Sequence, residues 1–226
     1  MKRILWVLIL STSCATTAGC GKKKTTGESG EPPAQAAGNL KYDLNGSVDQ
    51  RRKALDSLRE ASGSGALEQL QKAAQSEPED DLRESAVVAL GALGDAGAIQ
   101  VLGRAAREDR SSPIRRRAAE ALGRIRDARS ADTLAQLWRD PKDDPDAAVF
   151  NLEVQSAFVS LGTIALPALR RGLKHESYQV RWKVISALEK IGDASVIIDL
   201  QPLLDDPNPT VQDAAAAAIQ ALKAAP

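Results

Sequence analysis

The chain carries few side chains that could do chemistry together. Its 226 residues include one histidine, His175, which precedes Glu176, and two cysteines, Cys14 and Cys20. A protein zinc site needs several His or Cys ligands, and a disulfide framework needs more cysteines than two. No GxSxG step surrounds a serine, so a Ser-His-Asp nucleophile has no support, and no GxxxxGK[ST] loop could cradle a phosphate. The acidic stretch 140–146 (DPKDDPD) offers oxygen ligands, but it lacks the spacing, central Gly and terminal Glu of a calcium-binding EF-hand loop. The expectation is a chain with no catalytic residue, no metal, no cofactor and no small-molecule substrate. Five aromatic residues outside the N-terminal region gather between 138 and 182: Trp138, Phe150, Phe158, Tyr178 and Trp182. Buried aromatics anchor protein interfaces well, so Trp138, Phe150, Tyr178 and Trp182 are candidate partner-binding residues.

The elements that would hold these side chains begin after an address. Met1-Lys2-Arg3 is basic, Ile4 to Leu10 is an unbroken apolar run, and small and polar residues follow up to Cys20. That is the order of a secretory signal, and seven apolar residues are too few to span a bilayer. Thr17-Ala18-Gly19-Cys20 resembles the lipobox of bacterial lipoproteins, with Thr17 where that family usually has Leu. The resemblance implies cleavage after residue 19, lipidation of Cys20, export, and a lipid anchor on the bacterial membrane. Membrane attachment would face the periplasm or the outer membrane in a Gram-negative host. Residues 20–46 are rich in Gly, Lys, Thr, Ser and Pro without an apolar period, and read as a tether with a reach of about 28 Å.

From residue 47 to 226 the chain repeats itself. One frame recurs: an aliphatic residue, often Arg next, Ala at +4, Ala at +7, Leu at +8 and Gly at +9. The clearest copies are Leu82-Arg83 to Gly91 and Ile114-Arg115 to Gly123, with Val180-Arg181 to Leu188 close behind. Weaker copies start at Gln50, Glu153 and Val211. The Leu or Ile of the frame then falls at 58, 90, 122, 161, 188 and 219, with the longest interval between 122 and 161. These spacings fall on one helical face. Each copy predicts an amphipathic helix, a turn carrying Asp95, Asp127 or Asp193, and a second apolar helix. A lone helical hairpin cannot bury its apolar stripes, so the repetition predicts an all-α solenoid of about five hairpins plus a C-terminal capping helix over 210–224.

These copies resemble the HEAT-repeat family, most nearly its phycobilisome-lyase-type repeats. The resemblance implies a ladder of hydrogen bonds along the stack, formed by Arg83, Arg115 and Arg181 with Asp95, Asp127 and Asp193. It also implies either a protein-interaction scaffold or, alternatively, a lyase-type or oxidoreductase-type enzyme subunit; a purely structural spacer is the third reading. HEAT-like deoxyhypusine hydroxylases hold two irons through several His-Glu pairs, and His175-Glu176 is a single pair. Charge is balanced, with 30 Lys+Arg against 30 Asp+Glu, yet residues 104–129 carry nine Arg against four acids. No aromatic interleaves those arginines, so an exposed basic face or an acidic protein partner is expected rather than nucleic acid. The expected role is a membrane-anchored scaffold with a protein partner.

Overall fold

The computed structural model describes residues 41–61, 63–139 and 144–224. Cys20, the signal segment and most of the tether lie outside them, as does the start of the acidic stretch 140–146. The described residues form helices and turns: α1 (Val48–Glu60), α2 (Ser64–Ser76), α3 (Asp80–Leu93), α4 (Ile99–Glu108), α5 (Ser112–Arg124), α6 (Ala128–Ala135), α7 (Ala147–Leu161), α8 (Leu166–Gly172), α9 (Tyr178–Ile191), α10 (Ile197–Leu200) and α11 (Pro209–Ala224). The odd-numbered helices pack in sequence, each against the next odd one. Most even-numbered helices form a second layer behind them. The architecture is an α-solenoid of five hairpins closed by α11.

The repeating frame explains the packing. Leu58, Leu90, Leu122, Leu188 and Ile219 sit in the core, with the frame alanines Ala86, Ala89, Ala118, Ala121 and Ala187 beside them. Alanine at these positions lets neighbouring backbones approach. Gly91 and Gly123 bring them closer still: a Cβ on Gly91 would stand 2.7 Å from Ala121 Cβ, and one on Gly123 would stand 2.7 Å from Ala157 Cα.

That second contact resets the fourth repeat. Ala121 is the +7 residue of its frame, so Ala157, which meets Gly123 in the same way, is the +7 residue of the next. The fourth copy therefore starts at Phe150, not at Glu153, and Phe158 takes the leucine position instead of Leu161. Gly162, expected to be the +9 glycine, is instead the residue after the helix at φ +61°, in the same place as Gly94 (φ +67°) and Gly192 (φ +77°), each twelve residues after its frame start, although its ψ of −136° differs from their 10° and 16°. Phe150 fills the leading aliphatic position and is 1% exposed. It is a core residue and not a partner-binding one, with the Arg139 guanidinium lying 4.3 Å from its ring centroid.

The fold also starts earlier than residue 47. Tyr42, expected in the tether, is fully buried. Its backbone N–H donates to Gln69 Oε1 at 3.0 Å, and its hydroxyl donates to Glu77 Oε2. Desolvation and the adjacent Glu77 carboxylate push the phenol's pKa well above its ordinary value. Residues 41–46 thus dock onto the first hairpin.

Candidate functional site

The turns that join one hairpin to the next line one edge of the stack, and the frame arginines work there. Arg83 donates to Glu77 O at 2.7 Å and, through Nε and Nη2, to both carboxylate oxygens of Asp109 at 2.7 and 3.1 Å. Arg181 repeats this with His175 O at 2.7 Å and Asp206 at 2.8 and 2.7 Å. Arg51 donates to Gly46 O at 2.7 Å and pairs with Glu77 at 3.2 Å. Arg115 donates to Asp109 O at 3.0 Å and pairs with Asp146 at 3.2 Å. Each arginine thus closes its own turn and grips the turn of the next repeat. The two-pronged contacts of Arg83 and Arg181 are the strong form of the guanidinium–carboxylate bond, whereas Arg51 and Arg115 each hold their carboxylate through one nitrogen. Arg181 holds the Asp206 carboxyl below its ordinary value.

Asp95, Asp127 and Asp193 take no part in this ladder, contrary to the expectation. The arginine lies in the first turn of its helix and the aspartate follows the last, so twelve residues separate Arg83 from Asp95, about 18 Å of helix. The three aspartates cap the next helical segments instead: Gly97 N, Arg129 N and Ser195 N donate to their Oδ1 atoms at 2.7, 2.8 and 2.8 Å. Asp127 also accepts from the Arg129 side chain, which with the backbone N–H lowers its pKa to about 2.

Between the fourth and fifth repeats the ladder is interrupted. Asn151 stands where the arginine belongs, and His175 stands where the carboxylate belongs. Asn151 still closes its own turn, donating to Arg139 O at 2.8 Å and accepting from Arg139 N at 3.0 Å. Arg139 turns backwards, pairing with Asp144 and donating to Ala106 O and Arg107 O at 3.0 Å each. A cleft of about 690 Å³ opens here, lined by Trp138, Arg139, residues 175–181, Pro207 and Asn208. A second cleft on this edge, about 520 Å³ around Glu77, Arg83 and Asp109, contains no aromatic residue.

The predicted aromatic residues therefore separate into three settings. Phe150 is core. Trp138 is half-buried, stacks on Phe158 with centroids 5.7 Å apart, and lines the cleft. Tyr178 (41% exposed) and Trp182 (38%) lie one turn apart on the outer face of α9. On α7, Leu152 (50%) occupies the frame position of Trp182, and Val149 (48%) is beside it. Sequence reasoning missed these two aliphatics because the fourth frame was placed three residues late, which put them outside the repeat. Lys183 lies over the Trp182 ring at 4.8 Å, and burial together with Lys190 lowers its pKa.

Five of the nine arginines in the stretch 104–129 are paired within the chain. Arg110 pairs with Asp80, Arg115 with Asp146, Arg117 with Glu84 and Glu120, Arg124 with Glu120, and Arg129 with Asp127. Among the described residues no group of three or more His, Cys, Asp or Glu could hold a metal ion.

Comparison with known families decides the class. The family model of HEAT repeats matches residues 44–118, 67–153 and 160–221. The chain belongs to the HEAT-repeat family. No curated protein matches it in sequence. Solved structures similar to this HEAT chain include the complex of CpcE and CpcF of phycocyanin lyase from Nostoc sp., at 21% identity, 89% of this chain and 80% of that one, with a TM-score of 0.48. An archaeal HEAT-like repeats protein from Thermococcus onnurineus is 16% identical over 78% of this chain and 77% of its own, with a TM-score of 0.46. Human deoxyhypusine hydroxylase in complex with glycerol is 20% identical, covering 84% of this chain and 96% of that one, with a TM-score of 0.42.

Proposed function

We propose that this HEAT-repeat chain is an exported scaffold, lipid-anchored to the bacterial membrane through Cys20, that binds a protein partner on the outer face of α7 and α9. The observation that carries the reading is the exposed strip of Val149, Leu152, Tyr178 and Trp182 on two adjacent helices. Isolated exposed apolar residues need no explanation, but a contiguous group with large rings is the ordinary signature of an interface. Lys183 lies beside Trp182 at the edge of the strip, and it forms no ion pair among the described residues. The partner surface is therefore apolar with acidic groups at its rim. Crosslinking in the native host, followed by identification of the captured protein, tests the reading. Wild type should capture one partner reproducibly, and the double change Leu152→Ser with Trp182→Ala should lose it while helicity persists. Undiminished capture would remove the strip from consideration. Anchoring is tested separately: Cys20→Ser should move the protein from the membrane to the soluble fraction.

A further inference from the structure

We propose that the cleft at the interrupted rung is a binding site for a neutral oligosaccharide. The proposal goes beyond the protein-binding reading: the cleft adjoins the apolar strip and shares Tyr178 with it, while its other lining residues lie outside the strip. It starts from what the repeat gives up at this place. Elsewhere the rung position holds a guanidinium and a carboxylate that satisfy one another; here Asn151 and His175 replace both members. Asn151 is consumed by Arg139, and His175 is left at the cleft wall.

The unused hydrogen-bonding groups of the cleft are many and mostly planar. Trp138 Nε1 is buried with no acceptor among the described residues. His175 Nδ1 accepts from Ser177 N at 3.1 Å, which leaves Nε2 as the ring's donor, with no partner among the described residues. Gln179 Oε1 accepts from the Ser177 hydroxyl and Asn208 Oδ1 accepts from Thr210 N, so each amide has its NH₂ group to spare. The Glu176 carboxylate and Tyr178 hydroxyl take no partner among the described residues. One wall therefore offers several N–H donors together with a carboxylate acceptor, beside the rings of Trp138 and Tyr178.

The charge of the site narrows the ligand. Arg139 is paired with Asp144 and Arg181 with Asp206, so neither presents a free cation, while Glu176 would repel an anion. An acidic peptide, a phosphate or a nucleic acid is thereby disfavoured. A pyranose meets what remains. Its hydroxyls both donate and accept, so adjacent ones can satisfy an amide and a carboxylate at once, and its C–H face packs on an aromatic ring. The volume of about 690 Å³ lies within the range of small-ligand sites, about 300–1,000 Å³. The cleft around Glu77 and Asp109 has the volume but no aromatic ring, and serves as the internal contrast.

The test is calorimetric titration of the full-length protein, in a detergent without a sugar headgroup, with chitotriose, cellotriose and maltotriose. At least one should bind saturably in the millimolar range or tighter. Glu176→Gln and Gln179→Ala, both at positions outside the core, should each weaken binding about tenfold with an unchanged circular dichroism spectrum. Trp138→Phe, which keeps a ring against Phe158 but removes Nε1–H, should do the same. No saturable binding of any of the three would overturn the proposal. So would binding that survives all three changes undiminished, or tighter binding at the same cleft of a neutral peptide of alternating serine and asparagine. Leu152→Ser with Trp182→Ala should leave sugar binding intact, so loss of partner capture and loss of sugar binding are distinguishable failures.

Discussion

Arg181 holds a carbonyl of its own turn and a carboxylate of the next repeat at once. The side chains of Arg181 and Asp206 are 12% and 3% exposed, so removing one member leaves the other poorly hydrated. Loss of one partner of a buried pair destabilises by about 3–5 kcal/mol, and Arg181→Ala should approach that range in chemical denaturation. The pair also carries a pH signature. An unfolded aspartate titrates near 3.9; folded Asp206 titrates lower because Arg181 donates to it. The rung's contribution is therefore complete above about pH 4 and is lost as pH falls through the folded value. Asp206→Asn should be less stable than wild type at neutral pH, yet lose less further stability on acidification to about pH 3. An acid limb as steep as that of wild type would remove Asp206 from the account. The arginines were legible in the sequence because they recur at one frame position. Their carboxylate partners were not, because they lie 25 to 31 residues downstream, in turns where Glu, Asp, Pro and His stand at the equivalent place.

Two kinds of glycine set how the helices meet and end. Gly123 has no room for a side chain, since a Cβ would stand 2.7 and 2.9 Å from Ala157 Cα and O, which are backbone atoms that cannot swing away. Gly192 has open space around its missing Cβ but sits at φ +77°, in the left-handed region that L-residues disfavour. The same substitution should therefore fail for different reasons. Gly123→Ala should destabilise by about 1–3 kcal/mol through overpacking of α5 on α7, despite alanine's better helix propensity. Gly192→Ala should destabilise by about 1 kcal/mol through backbone strain alone. Urea titration of both separates the effects, because Gly192→Asn should recover most of the stability and Gly123→Asn none. If Gly123→Ala were neutral, the close approach of α5 and α7 would not constrain the stack. This distinction also explains the misplaced fourth repeat. A Leu-Gly step marked the frame end in two earlier copies, and Leu161-Gly162 imitates it, but Gly162 belongs to the class that ends helices, while Val159 stands at the contact position. Helices, their order and their inward faces were legible from spacing; which glycine did which work needed the neighbouring helix.

Across the whole stack, each repeat touches its neighbours and little else, so stability is close to a sum of repeat terms and interface terms. The interfaces are unequal. Arginine–carboxylate rungs join the first four repeats in turn and join α9 to the α11 turn, and the α7–α9 step has none. The two sides of that step should then be the most readily uncoupled. Helix α11 closes the array by burying Val211, Ala215, Ala218, Ile219 and Leu222. Its three larger side chains alone supply about 5 kcal/mol of apolar burial, offset in part by the entropy of ordering the helix. A chain ending at Asn208 keeps Asp206 and the last rung but uncovers one side of α9. Hydrogen exchange on that truncated chain should show lost protection in α9 and α10, with protection in α3 and α5 kept at the wild-type level. The fall should stop at the α7–α9 boundary, because the array there is joined by apolar contacts and by Gln155, which donates to Lys183 O at 3.2 Å and accepts from Lys190 Nζ at 3.3 Å, without an arginine–carboxylate rung. Loss that ran evenly through α3 would mean the solenoid melts as a single unit, and the interrupted rung would then carry no mechanical consequence.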